Sequence, residues 1–358
     1  MEPRSGPFRQ RRLTIVPTPP PAINASTQAI ESPVVTSGTT LRVVNRAVGS
    51  LPDTRGWVAP RRPVVCCVIG AARRGRWGVV MSFAPLAPPS YVAPSKIAAD
   101  TWIIHQVQPA LGQPLFVYFN SMVILGAEPV IIDTGTPANR ERWLEDAFSL
   151  VDPKDVRWVF LSHDDVDHSG NLDEVMTACP NATLVCNWAM VERNTNWFDF
   201  PLGRCRWVMD GELLDIGDRE LLAVRPPVFD SPTTRGLFDP ATGVYWAVDT
   251  FATPLPDPHL GVGDLDPDFW REALALFAFG AVSPWLSMVD QDKYGRSVDR
   301  VQSLDITTVA CCHSPVIEGS LIERAFAHVR QFPALDPPPL PDQSVLDQVI
   351  AATSQPRT

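Results

Sequence analysis

The chain has 358 residues, 45% of them apolar and 20% charged, the balance of a globular protein able to bury a sizeable core. Its most suspicious apolar run, residues 63–70, is far short of the roughly 20 residues that a membrane-spanning helix needs, so no such helix is expected. Residues 1–80 hold twelve Arg and three acidic residues, a net charge of +9, and the remainder carries −19; so acidic a body excludes nucleic-acid binding by the folded part.

Residues 1–80 lack helical or strand periodicity and are rich in Arg, Pro, Ser and Thr. They read as a disordered extension or an organelle-type leader, or as sequence upstream of a biological start at Met81. The abrupt change of composition at Met81 favours the last. Seven cysteines (66, 67, 179, 186, 205, 311 and 312) form no C-x-x-C pair, and their number is odd. Free, buried thiols in a reducing, cytoplasmic compartment are the reading this supports. Asn24 and Asn181 match the glycosylation sequon, but without a secretion signal the match has no meaning.

Regular structure starts near residue 97, and one domain is expected over 95–335. Residues 101–107, 115–120, 121–125 and 129–135 read as strands, the last ending in Asp133-Thr-Gly. Residues 138–150 come next as an amphipathic helix, then a buried strand at 156–161. A helix to residue 178, capped by Ser169, a strand at 183–186 and a short helix at 187–192 continue the chain. Residues 205–209, 211–215 and 220–225 read as a meander of strands joined by Asp-Gly and Gly-Asp turns. Residues 243–249 form a strand delivering Asp249. Helices are expected at 267–289 and 290–303, a strand at 306–312 delivering His313, and a closing helix at 319–333. Residues 336–358 are a proline-rich linker and a short terminal helix. Trp188, Trp197, Trp207, Trp246, Trp270 and Trp285 read mostly as core.

Chemistry concentrates between residues 161 and 171. His163, Asp165, Asp167 and His168 fall within six positions, on the loop leaving a strand's C-terminal end, where open α/β folds build their sites. In an extended loop alternate side chains share a face, so His163, Asp165 and Asp167 converge with His168 adjacent. Imidazole and carboxylate together suit zinc, iron or manganese. Three strand ends, at 163–168, 249 and 313, thus supply metal-ligand residue types. The order of strands and helices suggests two packed sheets with helices outside, a four-layer αββα arrangement.

These residues together resemble the metallo-β-lactamase superfamily. Asp133 matches its first motif, His163-x-Asp165-x-Asp167-His168 its second, Asp249 its bridging aspartate and His313 its last histidine. Within the superfamily, the text of 167–172, Phe229-Asp-Ser, 248–251 and the helix carrying Phe279 to Trp285 is similar to the oxygen-binding di-iron domain of the flavodiiron proteins. The resemblance covers roughly residues 97–335. It implies an α/β, four-layer αββα metallo-β-lactamase sandwich with a binuclear site. One metal would be held by His163, Asp165 and Asp249, the other by Asp167, Asp249 and His313. His168 is a ligand in the superfamily's hydrolases but not in every flavodiiron protein. Asp133 orients a ligand or its loop. Iron is favoured, with manganese or zinc as alternatives, since the set is oxygen-rich and holds no thiolate.

The sequence departs from that pattern in three ways. Asp165 stands where the family has the longer Glu. Pro227 falls in the register of a third ligand histidine, a loss that Asp230 or His259 could offset. No flavodoxin-like text follows residue 335, so no FMN domain is implied and electrons come from an external donor protein. His105 and His328 read as structural or surface residues. His259, in a loop over 254–263 that could cover the site, reads as a surface residue. Cys311 and Cys312 read as buried packing, with redox activity as the sharper option. Three functions compete: a di-iron centre, with Asp167 and Asp249 at its heart, that reduces or senses dioxygen or nitric oxide; a binuclear hydrolase of an ester, lactone or thioester; and a degenerate ligand- or partner-binding member. The substrate is a small molecule or a diatomic gas, and the resemblance implies a homodimer.

Overall fold

A computed structural model describes residues 90–110, 115–195 and 198–353. The extension at 1–80, the proposed start at Met81, and Trp197 lie outside the described residues. The strands are β1 (Ser95–Lys96), β2 (Thr101–Ile104), β3 (Val107–Pro109), β4 (Phe116–Tyr118), β5 (Ser121–Ile124), β6 (Val130–Ile132), β7 (Trp158–Phe160), β8 (Thr183–Cys186) and β9 (Cys205–Trp207), followed by β10 (Leu213–Asp215), β11 (Glu220–Val224), β12 (Gly236–Asp239), β13 (Val244–Trp246), β14 (Thr308–Cys311) and β15 (Ser314–Glu318). One sheet runs β1-β2-β5-β6-β7-β8-β9, the other β10-β11-β12-β13-β14-β15, and β3 and β4 form a separate hairpin. Helices α1 (Arg140–Leu150), α2 (Val166–Ser169), α3 (Leu172–Ala178) and α4 (Trp188–Asn194) follow strands of the first sheet; α5 (Pro267–Phe277), α6 (Gln291–Gln302), α7 (Ser320–Arg330) and α8 (Gln343–Thr353) follow those of the second.

The layers can be read from strand parity, because successive side chains of a strand point to opposite faces. Ile103, Met122, Ile132, Phe160 and Val185 of the first sheet meet Leu214, Leu221, Leu237, Trp246 and Ala310 of the second in one buried cluster. Their neighbours Ile104, Val123, Ile131, Val159 and Leu184 turn outward onto Trp143 and Ala147 of α1 and Val175 and Met176 of α3. On the far side Phe238, Tyr245, Val309 and Cys311 meet Trp270, Leu274, Val298 and Phe326 from α5, α6 and α7. Three cores between four layers make the αββα sandwich. The strands are continuous apolar runs because both faces are buried.

Several predicted elements differ in detail. Cys205–Trp207 pairs in parallel with β8 and so edges the first sheet instead of opening the meander. Gly236–Asp239, assigned to no element from the sequence, is a central strand between β11 and β13. The 101–107 strand breaks into β2 and β3 at His105 and Gln106, whose side chains are taken up by Asn120 and Thr136. The long helix predicted over 267–289 ends at Phe277, after which a π-turn spans Ala278–Val282; Pro284, with no amide hydrogen to give, stops it. Trp188 and Trp207 are about half exposed, unlike the buried Trp246 and Trp270.

Candidate metal centre

Strand β7 ends at the buried Phe160 and hands the chain to Ser162 and His163, both also buried. The next residues do not form the extended loop that alternation predicts. Asp165 is extended, at φ −70° and ψ 151°, and Val166 then starts the single turn α2. Ser169 ends that turn, and Asn171 takes the place before α3 that residue type predicts for Ser169. The turn carries Asp167 and His168 inward beneath His163, whose ring lies 3.9 Å from that of His168.

Asp133 organises the floor. It adopts φ +58°, a region that non-glycine residues enter at a cost, and its carboxylate is fully buried. It accepts from Ser162 N at 2.7 Å, Ser162 Oγ at 2.7 Å, Trp246 Nε1 at 3.2 Å and His168 Nδ1 at 2.8 Å. The His168 bond fixes that ring with Nε2 facing the cleft, as outer carboxylates do for metal-ligating histidines. Gly135, two residues on, has φ +66°, and a Cβ there would collide with Gln106 Oε1, the acceptor for Thr136 N.

The second sheet supplies the opposite wall. Val248, just past β13, is also at positive φ, +55°, a strained state for a β-branched residue that turns the chain and presents Asp249. Cys312 N donates to Val248 O at 2.8 Å, tying this turn to β14. His313 donates from Nδ1 to Tyr118 O at 2.7 Å, again leaving Nε2 for the cleft. Asp249 lies between the histidines. Its Oδ2 is 3.6 Å from His163 Nε2, and its Oδ1 is 3.3 Å from both His168 Nε2 and His313 Nε2. Asp167 Oδ2 stands 3.2 Å from His313 Nε2 and 3.7 Å from His168 Nε2. Asp165 and Asp230 approach His163 Nε2 at 3.9 Å and 3.7 Å.

All six sequence-predicted residues, His163, Asp165, Asp167, His168, Asp249 and His313, therefore converge. Asp165 reaches the cleft despite its shorter side chain. Two residues lie outside the predicted set. Asp230 joins His163 and Asp165 in one potential donor group, and Cys312 joins Asp167, His168 and His313 in another. Cys312, which the sequence offers as buried packing, thus lies close to the donors of the inner group. Pro227 brings no donor, and Asp230, three residues along the same loop, stands beside His163. His259 is exposed and belongs to no donor group among the described residues. Its loop is held by the pairing of Leu255 with Phe116 and by Tyr118 donating to Pro258 O. His105 bridges Ser95 and Asn120, and His328 stacks on Trp270, structural places for both.

These residues fit metal. Ligands held at about 2.1 Å from one ion stand roughly 3.0–3.4 Å apart, close to the separations here. His168 Nε2 and Asp249 Oδ1 are buried without any hydrogen-bond partner, an arrangement that costs free energy unless something is held there. Burial alone would push the Asp249 carboxyl up, yet His168, His163 and His313 outweigh it and hold it at about 2. Asp167 is depressed in the same way, with His168 and His313 overcoming its desolvation. Burial lowers His168 and His313, but the surrounding Cys312, Asp133, Asp167 and Asp249 raise His168 well above the ordinary range, and Cys312, Asp167 and Asp249 do the same for His313. Asp230 differs: desolvation lifts it to about 6, with Asp249 and Asp165 adding to burial against the pull of His163. The cleft above holds about 310 Å³ and is walled on its far side by Phe277 at the end of α5 and by Gly280, Ala281 and Val282 of the π-turn.

A four-layer αββα sandwich whose strand ends gather histidines and aspartates around one carboxylate defines a class. The chain belongs to the Metallo-beta-lactamase superfamily, whose profile matches residues 117–313. Within it the similarity is to flavodiiron proteins and their relatives. The diflavin flavoprotein A 1 of Synechocystis sp. is 26% identical over 213 residues, which is 58% of this chain and 35% of that protein. The anaerobic nitric oxide reductase flavorubredoxin of Pectobacterium atrosepticum is 23% identical over 172 residues, 48% of this chain and 34% of that protein. The chain thus spans about a third of the length of these curated relatives. The crystal structure of the flavodiiron protein from Giardia intestinalis superposes with a TM-score of 0.57 at 18% identity, covering 69% of this chain and 60% of that one, which establishes the shared fold. No helix among the described residues is long and apolar enough to cross a membrane.

Proposed function

We propose that this protein holds two iron ions and uses them to reduce or sense a diatomic gas, dioxygen or nitric oxide. The carrying observation is Asp249, whose two oxygens face two separate donor groups. His163, Asp165 and Asp230 would hold one ion; Asp167, His168 and His313 would hold the other, and Asp249 would bridge them. The names of the relatives, an anaerobic nitric oxide reductase and diflavin flavoproteins, support the gas and the need for an electron donor. A pair of bound irons supplies the one-electron steps of such a reduction.

The protein's own residues favour a small neutral substrate. Four carboxylates, Asp165, Asp167, Asp230 and Asp249, balance two divalent ions, so the centre offers little net attraction to an anionic ester or phosphoryl group. Phe277, Ala281 and Val282 give the cleft an apolar wall that keeps bulk water off one side. Asp133 and the Tyr118 carbonyl hold the two inner imidazoles in place, leaving no reorganisation for them when ligand binds. Electrons would come from a partner protein, and a homodimer in a reducing cytoplasm completes the reading. The free state of Cys179, Cys186, Cys205, Cys311 and Cys312 supports the compartment.

Metal analysis and visible absorption of anaerobically loaded full-length protein test this, followed by oxygen and nitric oxide consumption with a reductase and donor. About two irons per chain and gas consumption above that of free iron are expected. Tight zinc with ester or thioester hydrolysis would replace this reading by a binuclear hydrolase. Less than one metal per chain would leave a degenerate binding member.

A further inference from the structure

At the edge of the centre, a sulfur lies close to three of its donors. Cys312 is fully buried and comes directly after β14. Its amide donates to Val248 O at 2.8 Å, and its carbonyl accepts from Asn120 N at 2.8 Å. Asn120 also donates from Nδ2 to the carbonyls of Cys311 and Ser314. The backbone is thereby held on both flanks, and χ1 is the only freedom left to the thiol. Its Sγ, an Asp167 oxygen, a His168 nitrogen and a His313 nitrogen all lie within 4.8 Å of one another. Ligands about 2.0–2.3 Å from one ion span at most roughly 4.6 Å, so small side-chain adjustments bring all four onto one metal.

Core packing alone accounts for the burial of Cys312 but not for its company. Its side chain belongs to the apolar cluster between the two sheets, as that of Cys311 belongs to the one beneath α5, α6 and α7. Unlike Cys311, which is in no donor group among the described residues, Cys312 also lies close to two imidazoles and a carboxylate, near a His168 Nε2 and an Asp249 Oδ1 that have no hydrogen-bond partner.

We propose that Cys312 binds, as a thiolate, the ion held by Asp167, His168 and His313, which rests on the binuclear reading above. On binding, the S–H bond is exchanged for a sulfur–metal bond; the electron pair stays on sulfur and the proton leaves to solvent. The two halves of the centre then differ in kind. The half of His163, Asp165 and Asp230 has only nitrogen and oxygen donors and suits manganese or iron. The half with Cys312 is softer and prefers zinc, cobalt or iron.

Cobalt(II) titration of the metal-free full-length chain tests this, with Cys66 and Cys67 replaced by serine so that no other early thiol contributes. A near-ultraviolet thiolate-to-cobalt charge-transfer band should grow with the first equivalent. Cys312→Ser should lose that band while keeping its visible ligand-field absorption and cobalt stoichiometry, and Cys311→Ser should keep it. Cobalt bound with ligand-field bands but no charge-transfer band, or a band that survives Cys312→Ser, would overturn the thiolate and leave the binuclear reading standing. No bound cobalt at all would overturn both. If Cys312→Ser does not fold, zinc-edge X-ray absorption of the protein with Cys312 in place decides: a sulfur at about 2.3 Å supports the ligand, and a shell of nitrogen and oxygen alone refutes it.

Discussion

The two halves of the centre are built to different standards. The histidines of the inner half are buried and pinned, His168 on Asp133 and His313 on the Tyr118 carbonyl, while its Asp167 is 19% exposed. The outer half is open. The Asp165 side chain is 51% exposed and that of Asp230 is 20% exposed, and only His163 is buried there. Rigidity and access are thus divided between them. Fixed imidazoles pre-form one position, whereas the outer position relies on more exposed carboxylates at the mouth of the cleft.

Removing the shared residue should abolish both halves at once. Asp249→Ala should reduce bound metal from about two ions per chain to none at concentrations that saturate the natural protein, as measured by elemental analysis after gel filtration. Retention of one tightly held ion would mean that the halves do not depend on a bridging carboxylate.

Protonation separates the halves next. His168 and His313 are raised well above 6.5 in the metal-free protein, so each must lose a proton before it can ligate. Affinity at the inner half should climb about tenfold per pH unit for each proton released between pH 6 and 8, and His168→Gln should remove one of those factors. The same shifts govern the stability of the metal-free fold. The raised histidines stabilise it fully below 6.5 and lose that contribution as pH rises through their folded values; depressed Asp249 stabilises it above 3.8 and loses its part as pH falls towards about 2. The melting temperature without metal should therefore be highest between about pH 4 and 6.5, and the gap between loaded and metal-free protein should widen from pH 6 to 8. A constant gap would refute it.

Asp133→Asn should weaken metal binding at the inner half by about 10–100-fold and leave the outer half occupied, a split that isothermal titration resolves into two unequal steps. Equal weakening of both would make Asp133 a general support of the fold. The smallest effect is expected at the mouth. Asp230 is raised to about 6 by desolvation, so its ionised form destabilises the metal-free fold above that pH. Asp230→Asn should raise the stability of metal-free protein at pH 8 by about 1 kcal/mol, after discounting for solvent access. It should do nothing at pH 4, while lowering affinity at the outer half only.

Much of this was legible in the chain because the information is local. His163, Asp165, Asp167 and His168 stand within six positions of one another just past a buried strand's end, and no tertiary detail could separate them far. Asp249 and His313 each come after an apolar run, so the layers that bury those runs deliver both to one rim. The αββα architecture was implied by the order of strands and helices along the chain. The misread elements share a physical cause. Ser169 has the residue type of a cap, but hydrogen bonds from its hydroxyl to Asp164 O and Asp165 O hold it at the end of α2. Cys205–Trp207 looks like part of the next meander, yet the open edge of β8 captures it.

Residue type and parity along a strand belong to the chain alone, and they determined which side chains can bind metal and which strands carry them. Packing in three dimensions decided that Asp230 stands beside His163 where Pro227 brings no donor, that Asp133 turns His168 towards Asp249, and that the Cys312 thiol lies close to Asp167, His168 and His313. Those outcomes depend on how two sheets, brought together across more than 60 residues of chain between Asp167 and Asp230, settle against each other. Burial energy fixes that packing, and no local pattern encodes where its side chains meet.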